Sequence, residues 1–368
     1  MGFNQESEEA YQMDLESHQK SEAKVDINGE SISSEKKPKK KHKKMKIVLI
    51  ICLSLLTIMG VMIGTKFGRN IIYTTMGNYV FHVANRDSEA VQVIKEYHET
   101  QGIVGKKEDS ICNYLLFGIE EIYGAKNTDS MLIVSVNTKD GSLKLTSLMR
   151  DSYVAIPGWK STKLNAAYAK GGASLLIQTI EENYKLHIDG YASVNFDSFE
   201  QIVDRIGGVD IELGEKEADY LNKTNYISNP EFRTVTEGMN HLNGNQLLGY
   251  CRVRKVATLG GANNDYGRTL RQRRAISALF DQVRSRGIFS AMATAKDCLG
   301  LVTTSLTSDQ ISEIINVVVE NKITAFDTLR LPVDGMFEDP KSYHGTTYPL
   351  IYDWDKNIEQ LYEFIYGE

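Results

Sequence analysis

An uncharged apolar segment beside a dense basic run constrains this chain more than any other feature. Lysines crowd residues 36–46, and no charged residue occurs from Ile47 to Thr65. A helix of that length rises about 30 Å, which matches the hydrocarbon core of a bilayer. The adjacent lysines disfavour a core helix, and the long polar leader without an Ala-x-Ala site disfavours a cleavable signal peptide. The segment therefore predicts one transmembrane helix, residues 47–65.

The lysine run also predicts the orientation of that helix. Positive residues favour the cytoplasmic side, so residues 1–46 are expected inside the cell and residues 66–368 outside. Residues 1–35 are polar and mostly acidic, which predicts a disordered tail. Because the basic run abuts the predicted span, membrane anchoring explains it better than nucleic-acid binding, and no nucleic-acid partner is expected.

The part of the chain beyond the tail is acidic. Residues 47–368 hold 32 Lys and Arg against 39 Asp and Glu, a net charge of −7. We expect residues 66–107 to form a helical stalk and residues 108–368 to form the catalytic domain. The four cysteines have neither a metal-binding spacing nor a disulfide framework, and the scattered histidines argue against a zinc site.

The pattern of strands and helices predicts the fold class. Two β-rich runs, Met131–Val136 and Leu143–Leu148, flank the turn signal Asp140-Gly141, which predicts a β-hairpin. Further strands are expected at Val209–Leu213, Tyr250–Arg254 and Phe326–Val333. Helices are expected at Gly172–Leu186, Asp197–Arg205, Gly244–Gly249, Arg268–Arg286, Ala291–Leu301 and Ser308–Asn321. This mixture indicates an α/β or α+β layered domain with a central mixed sheet flanked by helices.

The predicted hairpin brings two carboxylates and an arginine together. If the chain turns near Asp140, Asp129 faces Asp151, with Arg150 beside it. Crowded carboxylates repel each other unless a cation or a proton intervenes. The alternative is a solvated strand end with a surface ion pair of little energetic value.

Two arginine clusters follow in the sequence. In a strand, Arg252 and Arg254 would project from the same face. On the next predicted helix, one face would carry Arg268, Arg271 and Gln272. A solvated basic face is the alternative, but two such clusters in an acidic domain favour a bound polyanion, because guanidinium groups match phosphate oxygens. With acids nearby, the pattern points to a divalent metal on a pyrophosphate.

Several motifs, in order along the chain, resemble the LytR-CpsA-Psr family. They are Asn127–Met131, Met149–Gly158, Lys163–Gly172, Val194–Phe196, Val203–Val209 and Leu242–Leu248, together with the two arginine clusters. The resemblance implies a phosphotransferase that moves a glycopolymer, such as teichoic acid, capsule or another wall polysaccharide, from an undecaprenyl-pyrophosphate-type carrier to peptidoglycan. It also implies magnesium, a sheet-centred fold and an apolar pocket for the prenyl chain.

The same resemblance assigns site residues. Asp129 is implied as a metal ligand, and Glu120 stands where the family usually has its other metal-binding Asp. Arg150 would stabilise the transferring phosphate, and Asp151 would accept a proton or order the site. The residues implied to bind the pyrophosphate are Arg252, Arg254, Arg268, Gln272 and Lys163, with Asn165 nearby. The long stretch from Lys255 to Gly267 predicts a loop at the site.

Two other functions remain open at this level. A lipid-pyrophosphatase would need the same acids and arginines, with water in place of the sugar hydroxyl. A non-catalytic cell-surface regulator or adhesin would not need them. The helical spacing of Phe196, Phe199, Ile202 and Val203 predicts a packed core rather than a lipid groove.

Overall fold

The computed structural model describes residues 41–122, 125–286, 293–294 and 296–368. The predicted disordered tail, residues 1–35, and the start of the basic run lie outside the described residues. The predicted helix Ala291–Leu301 lies partly outside them. A boundary between two compact units falls between Val61 and Met62.

The N-terminal part of the described chain is helical. It forms α1 (Lys41–Gly64), α2 (Lys66–Val83) and α3 (Ser88–Gln101). Among the described residues no single helix has the length and apolar composition to cross a membrane, whereas Leu53–Gly64 and Lys66–Val83, bent by 87°, meet that requirement as a pair. The transmembrane helix at residues 47–65 stays a prediction.

The segment predicted as a stalk packs on the rest of its unit. In α2, Tyr73 and Gly77 are buried, and the Tyr73 hydroxyl donates a hydrogen bond of 2.8 Å to Glu320. Arg69 Nε lies 2.5 Å from the same carboxylate. In α3, Ala90 is buried in the main core. Residues 66–83 and 88–101 of this segment are helical as predicted, and both helices pack on the rest of the domain.

A six-stranded mixed sheet forms the centre of the domain. Its strands are β1 (Ile111–Ile122), β2 (Ala125–Asn137), β3 (Leu143–Leu148), β6 (Gly190–Asn195), β9 (Thr303–Thr304) and β10 (Asp327–Leu331), in the order β10-β3-β2-β1-β6-β9. Strands β1, β2 and β3 are antiparallel neighbours, while β6 runs parallel to β1 and β10 parallel to β3. The predicted hairpin is β2–β3, with Met131 opposite Leu148.

Helices cover both faces of this sheet because its central strands are apolar on both sides. One face, which includes Leu115 and Ile133, packs against α4 (Asn165–Tyr184) in the main core. The opposite face, which includes Leu116 and Leu132, looks toward a second layer. That layer comprises α5 (Phe196–Ile206), α6 (Glu215–Lys223), α7 (Gly244–Arg252) and α8 (Asn264–Ser285), and the hairpin of β7 (Val209–Leu213) and β8 (Gly238–Leu242). The layer has its own core around Val203, Leu221 and Leu247.

Shorter elements complete the domain. Strands β4 (Tyr153–Val154) and β5 (Thr162–Lys163) pair after β3. Helix α9 (Ser308–Glu320) packs beside α2. The C-terminal part adds β11 (Phe337–Glu338), β12 (Ser342–Tyr343), β13 (Thr346–Thr347), β14 (Ile351–Tyr352) and α10 (Trp354–Tyr366), and a short 3₁₀ turn spans Pro230–Phe232.

The predicted fold class, a mixed α/β domain with a central sheet flanked by helices, is confirmed. The predicted strand Tyr250–Arg254 is wrong, since α7 continues to Arg252 and Val253 ends it with extended geometry. A favourable N-cap explains why this helix persists: Asn243 and Gln246 form a capping box. The predicted helix Asp197–Arg205 is found as α5, and Asn195 caps it by accepting a hydrogen bond from the Ser198 N–H.

Candidate functional site

The candidate site lies at the edge of the sheet where β1 and β3 end and β2 begins, and a β-bulge sets its first residue. Gly118 pairs with Ser130 and Ile119 with Thr128, so Asp129 is the extra residue of β2. Such a bulge interrupts the ladder and redirects the side chain. Asp129 is therefore aimed at the end of β3 instead of alternating with its neighbours.

Arg150, just after β3, links the carboxylates predicted to meet there. Its Nη1 donates a hydrogen bond of 2.7 Å to Asp129 Oδ1, and its Nε lies 3.6 Å from Asp151 Oδ2. Burial alone would raise the pKa of Asp129, but the guanidinium groups of Arg268 and Arg150 hold it below its usual range. The predicted grouping of Asp129, Arg150 and Asp151 is present in the structure.

Glu120, near the end of β1, faces both Asp129 and Arg252. Arg252 Nη2 donates a hydrogen bond of 2.9 Å to Glu120 Oε1. Burial and the adjacent Asp129 carboxylate raise the pKa of Glu120. Two partly buried carboxylates held together in this way provide the oxygen ligands that a hard divalent cation prefers. Although its side chain is one methylene longer than that of aspartate, Glu120 still lies beside Asp129.

Asp151 and Asp265 form a second carboxylate pair with unlike acidities. Lys163 Nζ lies 2.8 Å from Asp151 Oδ1. Burial would raise the pKa of Asp151, but hydrogen bonds with Asp265 and Lys163 and the charge of Arg150 lower it to about 2. For Asp265, burial and the hydrogen bond with Asp151 raise the pKa to about 6, against the opposing effect of Arg268 and Arg150. Of the two carboxyl groups, Asp265 is therefore the one that takes up a proton more readily.

The remaining predicted residues approach from the helical layer. Arg268 is buried and reaches Asp265 at 3.2 Å and Asp129 at 3.4 Å. Arg254 Nη1 lies 4.0 Å from Asp265. Nε of Arg150 and Nε of Arg268 are buried, and neither has a hydrogen-bond partner among the described residues. Unsatisfied buried donors are costly, so this position is suited to an anion that would accept from them.

A cavity of about 550 Å³ opens behind these charged groups, between the sheet and the helical layer. Charged and polar side chains line its mouth: Glu120, Asp129, Arg150, Arg252, Arg254, Arg268 and Gln272. Its body is mostly apolar and is lined by Leu116, Leu132, Ala192, Val194, Phe196, Phe199, Ile202, Leu248, Ala275, Ile276, Leu279 and Val302. The site is thus charged at its mouth and apolar in its interior.

Two predictions about side-chain direction need correction. Phe196, Phe199 and Ile202 line the cavity, whereas Val203 is buried in the core of the helical layer as predicted. Arg271 does not share the site face with Arg268. It is fully buried on the other side of α8, where it bonds Glu217.

Arg252 and Arg254 do not project from one face of a strand, as the sequence predicted, because the strand is absent. Arg252 ends α7, with its guanidinium carbon 4.9 Å from the Phe196 ring centroid. Arg254 lies in the loop from Val253 to Asn263, which overlaps the predicted loop Lys255–Gly267, whereas residues 264–267 of that prediction belong to α8. Both still reach the cavity mouth.

Asp265 is a site residue that the sequence did not predict. Asp265 lies in the first turn of α8, three residues before Arg268, and Arg150 Nε lies 3.7 Å from it. Its position one turn before the basic cluster is a signal that could have identified it, since residues i and i+3 are neighbours on a helix. Lys163 and Asn165 lie nearby, the latter donating its backbone N–H to the Arg150 carbonyl at 3.2 Å.

Comparison with known proteins gives a family match over most of the chain. The LytR_cpsA_psr family model matches residues 73–358. The chain is 30% identical over 294 residues to a Bacillus mycoides protein named polyisoprenyl-teichoic acid–peptidoglycan teichoic acid transferase TagU, covering 76% of this chain and 87% of that relative. It is 33% identical over 178 residues to the TagV transferase of Bacillus subtilis, covering 46% of this chain and 43% of TagV.

Solved structures share the fold. The Bacillus subtilis TagV crystal structure has a TM-score of 0.55 and 26% identity, and it covers 70% of this chain and 98% of that one. A structure of the LytR-CPS2A-psr family protein YwtF (TagT) with bound octaprenyl pyrophosphate lipid has a TM-score of 0.50 and 23% identity, with coverage of 72% and 94%.

Proposed function

The chain belongs to the LytR-CpsA-Psr family, and from that premise we propose that it is a phosphotransferase that moves a glycopolymer from a polyprenyl-pyrophosphate carrier to peptidoglycan. Teichoic acid, capsule or another wall polysaccharide would be the transferred polymer. The observation that carries this proposal is an apolar cavity whose mouth holds Arg150, Arg252, Arg254 and Arg268.

The cavity matches both halves of the proposed donor. A prenyl chain removed from water gains about 25 cal/mol for each Å² of apolar surface buried, and the cavity body offers such a lining. The pyrophosphate would lie at the mouth, where the unsatisfied Nε groups of Arg150 and Arg268 could donate to its oxygens. The relative crystallised with octaprenyl pyrophosphate supports this class of ligand.

Magnesium fits the two carboxylates at the end of β1 and β2. Asp129 and Glu120 would hold the ion, and they would have to exchange part of their contact with Arg150 and Arg252 for it. When bound, magnesium would neutralise charge on the pyrophosphate. Glutamate in place of aspartate lengthens one ligand arm by a methylene without removing the oxygen donor.

In the proposed reaction, a sugar hydroxyl of peptidoglycan attacks the phosphorus next to the polymer. A new phosphodiester bond forms as the bond from that phosphorus to the bridging oxygen breaks, and lipid monophosphate leaves. Arg150 and Arg268 stabilise the developing charge. Asp265, with a pKa of about 6, is better placed than Asp151 to accept the hydroxyl proton, because a general base works best with a pKa near the working pH.

The proposal includes the location of the enzyme. The lysine run and the apolar segment at residues 47–65 would anchor the chain in the cell membrane, with the N-terminus in the cytoplasm and the catalytic domain outside. Both substrates would meet the site there, since the carrier lipid lies in the membrane and peptidoglycan lies outside it.

The test is a transfer assay with the full-length protein, isotope-labelled glycopolymer on a polyprenyl pyrophosphate, and purified peptidoglycan. We expect label on washed peptidoglycan, and Arg150→Ala should lower this incorporation by about 10²- to 10³-fold. Arg284→Ala is the matched control, because Arg284 is an exposed arginine on α8 outside the cavity.

Two results would decide against the proposal. Label released into solution but never attached to peptidoglycan would indicate a lipid-pyrophosphatase. Equal incorporation by wild type and Arg150→Ala would indicate that the site does not carry the chemistry.

A further inference from the structure

A second cluster of metal-binding side chains lies away from the site described above. His98 of α3, Glu181 of α4 and His187 before β6 place one ligand atom each within 4.8 Å of one another. His98 Nε2 is 2.9 Å from Glu181 Oε2, and His187 Nδ1 is 3.0 Å from Glu181 Oε1. The three residues come from separate segments of the chain. The sequence alone showed its histidines as scattered and gave no sign of this cluster.

The centre of this cluster is a buried carboxylate. Glu181 has 0% exposure and accepts a hydrogen bond of 2.8 Å from the Ile188 N–H. Burial would raise the pKa of Glu181, but the adjacent His187 and His98 side chains and the Ile188 N–H lower it. A buried anion is stabilised by a nearby positive charge, which a bound cation would supply.

The ring of His187 is oriented as in many metal-binding histidines. Its side chain is buried, and its Nδ1 points toward Glu181 without making a hydrogen bond to any described residue. On the other edge of the ring, Nε2 lies 3.7 Å from Asp189 Oδ1, and Lys107 holds the same oxygen at 3.0 Å. Metal-binding histidines typically present their other ring nitrogen to such a carboxylate.

The cluster also has room for a further ligand. A cavity of about 430 Å³ adjoins it and is lined by His98, His187 and Asp189. In a tetrahedral zinc site, neighbouring ligand atoms lie roughly 3.3 Å apart. Glu181 Oε1 lies 3.1 Å from His98 Nε2 and 3.0 Å from His187 Nδ1, so these separations need to widen by only a few tenths of an ångström.

We propose that His98, Glu181 and His187 bind a divalent transition metal of the zinc class, with water from the adjoining cavity as the fourth ligand. Two imidazoles and one carboxylate form the ligand set that zinc and its first-row neighbours accept, and magnesium does not favour it. The metal would neutralise Glu181 and tie α3 to the segment that leads into β6. This role does not depend on the transferase reaction.

The test measures zinc binding by the full-length protein in detergent micelles, with excess magnesium to occupy oxygen-rich sites. After dialysis, elemental analysis should find about one retained zinc per wild-type chain. His98→Ala should weaken zinc affinity by about 100-fold or more, because it removes one of three protein ligands. Cobalt substituted for zinc should give the intense visible absorption of a low-coordinate site in wild type and lose it in His98→Ala.

His82→Ala is the matched control, since His82 is an exposed helical histidine that lies outside the cluster. It should retain zinc and the cobalt spectrum. Asp129→Asn should also retain them, which separates this site from the proposed magnesium site. Failure of wild type to retain zinc, or equal retention by wild type and His98→Ala, would overturn the proposal.

Discussion

At the scale of single residues, the site is a balance of unlike charges held out of water. Four guanidinium groups and one ammonium group face four carboxylates: Arg150, Arg252, Arg254, Arg268 and Lys163 against Glu120, Asp129, Asp151 and Asp265. Because the groups are partly buried, each ion pair is screened less than a surface pair. The net positive charge suits a pyrophosphate.

The raised pKa of Asp265 predicts the pH dependence of transfer. The carboxylate form accepts the proton, so the rate should rise as pH increases through about 6 and then level. Asp265→Asn should lower the rate by about 10²- to 10⁴-fold and remove that rising limb. The measurement is initial rate against pH for both proteins, and an unchanged profile in the variant would contradict the assignment.

Arg271 shows that an arginine in the same helix can serve the fold instead. It is fully buried, donates to Glu217 at 2.8 Å, and also donates to the carbonyls of Val253 and Val256. Arg271→Met leaves a buried unpaired carboxylate and should lower the free energy of unfolding by about 3–5 kcal/mol. Chemical denaturation measures this change.

The double variant Arg271→Met/Glu217→Leu is the control for that prediction. Replacing both partners with apolar groups removes the unpaired charge and should restore much of the lost stability. A double variant as unstable as the single one would mean that the loss came from packing or from the freed carbonyls.

At the scale of elements, close contacts between helices and strands position the parts that carry the site. The bulge in β2 turns Asp129 toward β3, and helix α7, which starts at a capping box, ends with Arg252 at the cavity mouth. The packing of α2 against α9 also depends on a close contact, at Gly77 of α2. A Cβ at Gly77 would lie 2.0 Å from Ser312 Oγ and 2.5 Å from the Ser308 carbonyl oxygen.

Gly77→Ala should therefore weaken the packing of α2 on α9. We expect a loss of about 1–3 kcal/mol in the free energy of unfolding, the usual cost of forcing extra volume into a packed contact. Faster amide hydrogen exchange in α2 would locate the effect. Gly60→Ala is the control, because an added Cβ there meets no atom of the described residues within 4 Å; equal effects of the two changes would contradict the packing argument.

At the scale of the whole domain, the cavity exists because the sheet is apolar on both faces but only one face is fully packed. Leu115 and Ile133 meet α4, whereas Leu116 and Leu132 face the gap beneath α8. The helical layer has its own core around Leu247, so its stability does not require close packing against this part of the sheet. The gap is where the proposed lipid would lie.

Ile276→Trp should fill part of this gap without removing a charged residue. We expect binding of a short polyprenyl pyrophosphate to weaken by roughly tenfold or more, because one buried methylene contributes about 0.8 kcal/mol. Isothermal titration calorimetry gives the affinity and circular dichroism verifies the fold. Val283→Trp, on an exposed position of α8, should bind normally; unchanged binding by Ile276→Trp would place the lipid elsewhere.

Local patterns in the sequence determined the elements and the chemistry of the site. The turn at Asp140-Gly141 fixed the β2–β3 hairpin and with it the meeting of Asp129, Arg150 and Asp151, since register follows directly from a short turn. Alternating strands and helices indicated the mixed sheet, and the ordered motifs indicated the family. These inferences depend on interactions between residues that are near one another in the chain.

Only the tertiary structure decided which faces of the elements meet. It directed Arg271 into a core and Arg268 into the site, and it turned Phe199 and Ile202 toward a cavity, because helical spacing shows that residues share a face without showing what that face contacts. It brought His98 to Glu181 across 83 positions of sequence. Such contacts are set by packing between distant segments, which local pattern does not encode.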